Sequence, residues 1–274
     1  MIRFPDSLVS LTKARGAPPL VPLADEIDHV VFLGLPFCLS TQTEVIDAIA
    51  ADCGAPYRYV VTPNAYHVVA AHDDPARLLP IYRAAWLSLC DSRIVRALAR
   101  FDGRALPLVA GSDLVAALLD RLNERSDKPK RVLVVGPAPS TEALLRTTYP
   151  NVIIEVMPAP DALAHNAELR LAVARACLGR HWDIALLCVG CPAQELIARQ
   201  LVELGRKSGV ALCVGASIDF LTGTRARAPR WVQRLCLEWA YRLAREPRRL
   251  WRRYLVESPR ILRIFVTTRS PRGR

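Results

Sequence analysis

An acid set directly behind an apolar strand is partly desolvated, and can take a proton from a bound hydroxyl. Asp91, immediately after the run WLSLC, stands in that position. A second duty is open to it, because an Asp ahead of the helical run RIVRALARF can also cap that helix. Thr62 either closes the strand YRYVVT or faces a ligand, and Asn64, two residues on, either bonds a local turn or does the same. Ligands of an open parallel sheet bind at the carboxyl ends of the strands. The other polar residues at such ends are Gly111-Ser112-Asp113, Gly136 in VVGPAPS, Gly190 with Gln194 and Glu195 in GCPAQE, and Gly215 to Asp219 in GASID. Two of these loops join glycine to a helix N-terminus, which offers backbone N–H groups to phosphate oxygens. Neither matches G-x-G-x-x-G or G-x-x-x-x-G-K-[ST], so the dinucleotide and P-loop readings lose support.

Other residues have plain structural explanations. His67 falls on the apolar face of its helix and reads as a satisfied core residue. Glu195 suits the dipole of its helix's first turn without any catalytic duty. Cys188-Val-Gly-Cys191 is a C-x-x-C at a strand-to-helix turn and could be a redox pair, but zinc would need two further ligands. Most of the eight cysteines sit in apolar runs, where Cys packs as a small hydrophobe, which favours a reducing cytoplasm.

The elements that position these residues alternate. A strand-length run covers 27–35, and Ser40, Thr41 and Thr43 can cap the helix that follows. Pro63 can open the helix after YRYVVT, and Ser112 can cap DLVAALLDRLNER. Beyond the hydrophilic seam SDKPK come RVLVVG, NVIIEVM, DIALLCVG and VALCVGAS, with helices between them. Continuous Val/Ile/Leu strands alternating with helices indicate a parallel sheet covered on both faces. The sequence therefore predicts an α/β chain. It has an N-terminal extension over 1–27 with no assigned role, a Rossmann-like domain over 28–224 and a helical appendage over 225–274.

That appendage carries all the excess charge. From Arg225 onward there are fifteen arginines, no lysine and three acids, giving +12, whereas residues 1–224 hold 22 basic and 23 acidic side chains, giving −1. Arginine interleaved with Trp231, Trp239, Trp251, Tyr254 and several leucines suits a helix lying on an anionic membrane. Two rivals fit the composition as well: a basic arm for nucleic acid, though no recognised nucleic-acid module surrounds it, or a solvated helical face. Exposed Trp and Leu there could equally seal a homo-oligomer interface. Pro247 and Pro259 divide the segment into short helices. No run of eighteen apolar residues exists, and the first residues lack a secretory h-region, so any membrane contact is expected from one side.

Taken together, TPNAYHVV (62–69), CDSRIV (90–95), GSDL (111–114), GCPAQE (190–195), GASIDFLTG (215–223) and RAPRWVQRLCLEWAYRLAREPRRLWRRYL (227–255) closely resemble the WecG/TagA/CpsF glycosyltransferases, glycosyltransferase family 26. The resemblance spans about residues 28–257, and the tail motif is its most specific part. It implies an inverting enzyme that moves a sugar from a UDP-sugar to a lipid-diphosphate-linked saccharide at the inner face of the bacterial cytoplasmic membrane. No DXD metal site and no cofactor are implied. By the same resemblance Asp91 is the general base, Thr62 and Asn64 belong to the active-site TxN stretch with Thr62 beside the donor or acceptor, and Arg242, Arg249 and Arg252 fold over the pocket to neutralise the leaving diphosphate. The partners would be donor, lipid-linked acceptor and anionic membrane, with nucleic acid excluded. In one respect the chain departs: many relatives carry Asp-Gly where it has Asp91-Ser92 followed by Arg93, so the backbone beside the base, and with it the sugar preference, is expected to differ.

Overall fold

The structure, a computed structural model, describes residues 28–51, 53, 56–124, 128–235 and 237–268. The expected extension 1–27, part of the seam SDKPK, Cys236 and the last six residues of the tail lie outside these.

The described chain opens on an antiparallel hairpin, β1 (His29–Phe32) and β2 (Leu35–Cys38). The single strand expected over 27–35 is thus two, because Leu33 (φ 51°) and Gly34 (φ 80°) adopt left-handed backbone and reverse the chain. Next come α1 (Gln42–Ala51), β3 (Arg58–Val61), α2 (Ala65–Asp73), α3 (Pro75–Arg83), β4 (Leu87–Ser88), α4 (Arg93–Phe101) and α5 (Gly111–Asn123). The regular half follows as β5 (Arg131–Gly136), α6 (Thr141–Thr148), β6 (Ile153–Pro158), α7 (Ala167–Leu178), β7 (Ile184–Leu187), α8 (Ala193–Glu203), β8 (Val210–Cys213) and α9 (Ser217–Leu221).

Strands β3 to β8 form one wholly parallel sheet in the order β4-β3-β8-β7-β5-β6. The chain leaves β5 toward one edge and β7 toward the other, so the topological switch lies between them. Side chains alternate between two apolar layers. Tyr59, Val61, Leu133, Val135, Leu187 and Cys213 face one, while Val60, Val132, Val134, Ile184, Leu186 and Leu212 face the other. Each fully buried aliphatic there contributes about 1.5–3 kcal/mol. This is the Rossmann-like α/β sheet that the Val/Ile/Leu runs predict.

Local caps differ from expectation in two places. Asn64, not Pro63, starts α2: its side chain accepts from the Tyr66 N–H at 3.0 Å, and His67 Nδ1 accepts from the Asn64 N–H at 3.3 Å. Helix α5 begins two residues early, at Gly111, which leaves Ser112 inside the first turn rather than capping it. In α1 the expected threonine cap is Thr41, paired reciprocally with Glu44.

The tail folds as α10 (Arg230–Arg234), α11 (Glu238–Arg245), α12 (Pro247–Trp251), a π-helical turn over Arg252–Glu257 and α13 (Arg260–Thr268). Pro247 opens α12 and Pro259 immediately precedes α13, as the sequence suggests. Helix α13 packs on α2 and puts Ile261 and Phe265 into the core. The Phe265 ring meets Phe32 and Phe101 edge-on at 6.2 and 6.1 Å, and the Arg260 guanidinium forks onto Asp73. No helix among the described residues is long and apolar enough to cross a membrane. We expect Phe265→Ala to lower stability by about 3–5 kcal/mol in urea unfolding; a loss below about 1 kcal/mol would show that α13 is only laid on the surface.

Candidate active site

A cavity of about 610 Å³ opens at the carboxyl ends of the strands, between the sheet and the tail. Only two residues long, β4 ends before the chain reaches Cys90, Asp91 and Ser92. Ser92 caps α4, its hydroxyl accepting from the Val95 N–H at 3.2 Å. This settles the alternative left open for Asp91: it does not cap RIVRALARF. Its carboxylate reaches across instead and accepts the Gly111 N–H, the first amide of α5, at 3.1 Å.

Asp91 is half-buried and lines the cavity. Burial pushes its pKa up to about 7; the Gly111 N–H opposes that rise, Glu238 adds to it, Arg242 opposes it and Asp113 adds to it. A carboxylate titrating there can hold or release a proton at neutral pH.

Four loops are tied together beside it. Thr62 is buried and donates its hydroxyl to the Cys213 carbonyl at 2.8 Å, which leaves its oxygen only an acceptor toward the cavity. Gly111 lies against Ser217 and Thr62, where a Cβ would sit in ordinary contact at 3.4 Å from Ser217 Oγ and 3.5 Å from Thr62 Oγ1. Buried Gln194 accepts from the Gly215 N–H at 3.0 Å and donates to Glu195 Oε1 at 2.8 Å. Glu195, read from sequence as a dipole residue, is fully buried and also faces His67 Nε2 at 3.4 Å. His67 lines the cavity as well as being buried. Gly136 (φ 125°) lets its loop pass the next one, for a Cβ would lie 3.0 Å from the Cys188 carbonyl oxygen. With Gly190 it borders the cavity at the topological switch, where the sheet leaves room for a ligand.

Among the described residues, His67, Cys191 and Glu195 form the group whose ligand atoms, all within 4.8 Å of one another, could hold a metal ion. Their hydrogen bonds do not favour it. Nδ1 of His67 accepts from the Asn64 N–H, which puts the ring proton on Nε2 and aims it at Glu195, so an ion on Nε2 would have to break the α2 cap. The redox reading of Cys188 and Cys191 weakens too. Both are free, and burial, with Asp219 beside the first and Glu195 beside the second, pushes their thiols up, away from the reactive thiolate.

The tail closes the cavity with Arg225, Arg227, Glu238, Arg242, Arg249 and Arg253. Arg227 pairs with Asp113 and Arg249 with Glu246, each at 2.5 Å, and Arg225 pairs with Asp219 at 3.0 Å. Arg242 lies 5.2 Å over the Phe220 ring and Arg253 4.3 Å over Tyr66. Of the residues expected from sequence, Asp91, Thr62, Asn64, Ser112, Gly136, Gly190, Gln194, Arg242 and Arg249 line this cavity. Gly111, Asp113 and Glu195 stand just behind it, each bonded to a residue that lines it. Arg252 is outside: it pairs with Glu257 at 3.4 Å, and its neighbour Arg253 faces in. Successive helical residues point roughly 100° apart, so only one of the two can face the cavity. Sequence reasoning missed Arg225, Arg227, Glu238 and the loop Ala159–Ala164. That loop follows β6 and could have been found by the same strand-end rule.

Ser92→Ala is expected to cost about 1 kcal/mol of stability through loss of the α4 cap. Asp91→Asn at pH 5 should leave the melting temperature unchanged; equal losses would put Asp91 back in the capping role. A carboxyl whose folded pKa is raised gives stability that is full below its unfolded pKa near 4 and is lost as pH rises through about 7. Asp91→Asn should therefore melt higher than the wild-type chain at pH 8.

Residues 30–274, nearly the whole chain, match the Glycosyl transferase WecG/TagA/CpsF family, and with the parallel sheet and strand-end cavity in place, this chain belongs to that family of glycosyltransferases.

Proposed function

We propose that the chain is an inverting glycosyltransferase of polysaccharide assembly, moving a sugar from a UDP-sugar to a lipid-diphosphate-linked saccharide at the inner face of the cytoplasmic membrane. The polymer would be an exopolysaccharide, a capsule or a teichoic-acid-type chain. One observation carries the reading: a carboxyl poised near neutrality and several tail arginines line a single cavity. The acceptor hydroxyl gives its proton to Asp91 while its oxygen attacks the anomeric carbon. The bond from that carbon to the donor diphosphate breaks, and its electron pair leaves with UDP. Negative charge then grows on the phosphate oxygens, where Arg242, Arg249 and Arg253 can meet it through planar, bidentate guanidinium groups. In this scheme Arg253 takes the place expected for Arg252. Thr62 accepts from a sugar hydroxyl, Asn64 and Ser112 line the same chamber, and the Gly136 and Gly190 loops hold the nucleotide. Charge on the diphosphate is answered by arginine, with no metal required.

The outer surface of the tail supports the lipid part of the proposal. Trp231, Leu235, Trp251, Leu255, Leu262 and Val266 are all more than half exposed, among arginines. Rings and aliphatic groups that settle at the acyl boundary beside cations suit an anionic bilayer.

Membrane-reconstituted protein should transfer label from one member of a radiolabelled UDP-sugar panel to a lipid-diphosphate saccharide, and Asp91→Asn should reduce turnover about 10³-fold. Retained turnover would remove the assigned base. The chain should also float with phosphatidylglycerol vesicles, and Trp231→Ala combined with Trp251→Ala should weaken that binding. Flotation unaffected by the double change would place the lipid contact elsewhere.

A further inference from the structure

Three acids that the reaction above does not use line the cavity, Asp161, Asp219 and Glu238; Asp219 is paired with Arg225, and Glu238 is the one of the three that acts on Asp91. Glu238 opens α11 and lines the chamber together with Arg242, one helical turn later on the same face. A carboxylate beside a site for a diphosphate works against donor binding by like-charge repulsion. Its presence calls for another task.

The surroundings of Asp91 indicate which. Helix α5 turns toward it the Gly111 N–H, bonded at 3.1 Å, and the Asp113 carboxylate, whose charge is met by Arg227 at 2.5 Å. Helix α11 brings Glu238 and Arg242, whose fields on Asp91 are opposite in sign. Arg225, Arg227 and Arg249 each have a carboxylate partner within 3.0 Å. Among the described residues neither Glu238 nor Arg242 has an ion-pair partner, and Arg242 is held only by the Phe220 face. Arg242 and Arg253, the latter over the Tyr66 ring, are therefore the cations at this wall without a carboxylate partner among the described residues, and of the two Arg242 is the one that acts on Asp91.

We propose that Glu238 is a positioning residue for the base, set against Arg242 so that a donor diphosphate engaging Arg242 leaves the Glu238 field on Asp91 unopposed. The inference rests on the donor and base roles given above. With the chamber empty, the two charges of α11 oppose each other around Asp91. When a nucleotide diphosphate occupies Arg242, Asp91 faces Glu238 and the phosphates, and its hold on a proton tightens. The base then becomes strongest once a leaving group is in place, at the cost of moving the working pH upward. Donor binding is accordingly coupled to uptake of a proton by Asp91.

Calorimetric titration of the full chain with UDP-N-acetylglucosamine and with UDP-glucose, in buffers of differing ionisation enthalpy, counts the protons exchanged without any turnover. These probes carry no phosphate group that titrates near neutral pH. Wild-type protein should take up about half a proton per donor bound near pH 7.5. Asp91→Asn should bind and take up none. Glu238→Gln, and Glu238→Ala as an independent check, should move the pH of greatest uptake downward by about half a unit. Binding without proton uptake by the wild-type chain, uptake that survives Asp91→Asn, or a pH of greatest uptake unmoved in both Glu238 variants would each overturn the inference. If neither nucleotide sugar binds the wild-type chain, the donor reading falls, and this inference falls with it.

Discussion

Everything in this architecture bears on how a carboxyl group is kept where water would not leave it. Asp91 sits behind β4, with one backbone amide as its hydrogen-bond donor and a chamber rather than bulk solvent in front. Burial disfavours its charge, which carries its titration to about 7. The rest of the local structure can be read as support for that situation. Ser92 relieves Asp91 of capping α4, and α5 brings its first N–H alongside. The Gln194–Glu195–His67 chain fixes the loops after β3, β7 and β8 relative to one another. A chamber assembled from so many loops keeps its dimensions only if those ties hold.

The tail is part of this device. Its inner side supplies the chamber's arginines and Glu238, its last helix fills the core beside α2, and its outer side leaves large apolar groups in solvent. Among the described residues of the tail, charge that composition presents as a loose basic arm is largely turned inward or paired. Arg225, Arg227, Arg249, Arg252 and Arg260 all have acidic partners. Such exposed pairs add little stability individually. Their effect is to fix where the tail lies over the sheet ends.

Much of this was legible in sequence, and the remainder was hidden for definite reasons. Runs such as RVLVVG and VALCVG announce strands buried on both faces, and the acid behind the run WLSLC lines the strand-end cavity. Hairpin β1–β2 was not legible, because its reversal depends on Leu33 adopting a left-handed backbone that no residue type there signals. Nor was the division of labour between Asp91 and Ser92, since either side chain can cap a helix and only the position of α5 decides. Arg252 and Arg253 differ only in helical phase, which the π-helical turn sets. Glu238 escaped notice because an acid in a basic, amphipathic segment looks like ordinary surface, and its placement against Asp91 is a tertiary fact.

The central claim concerns the proton affinity of one carboxyl group, and it can be measured directly. Carbon-13 NMR of the full chain with labelled aspartate side chains, assigned by comparison with Asp91→Asn, gives the titration of that group free of any assay. The account predicts a midpoint at about 7. A midpoint near 4, the ordinary value for an exposed aspartate, would contradict it.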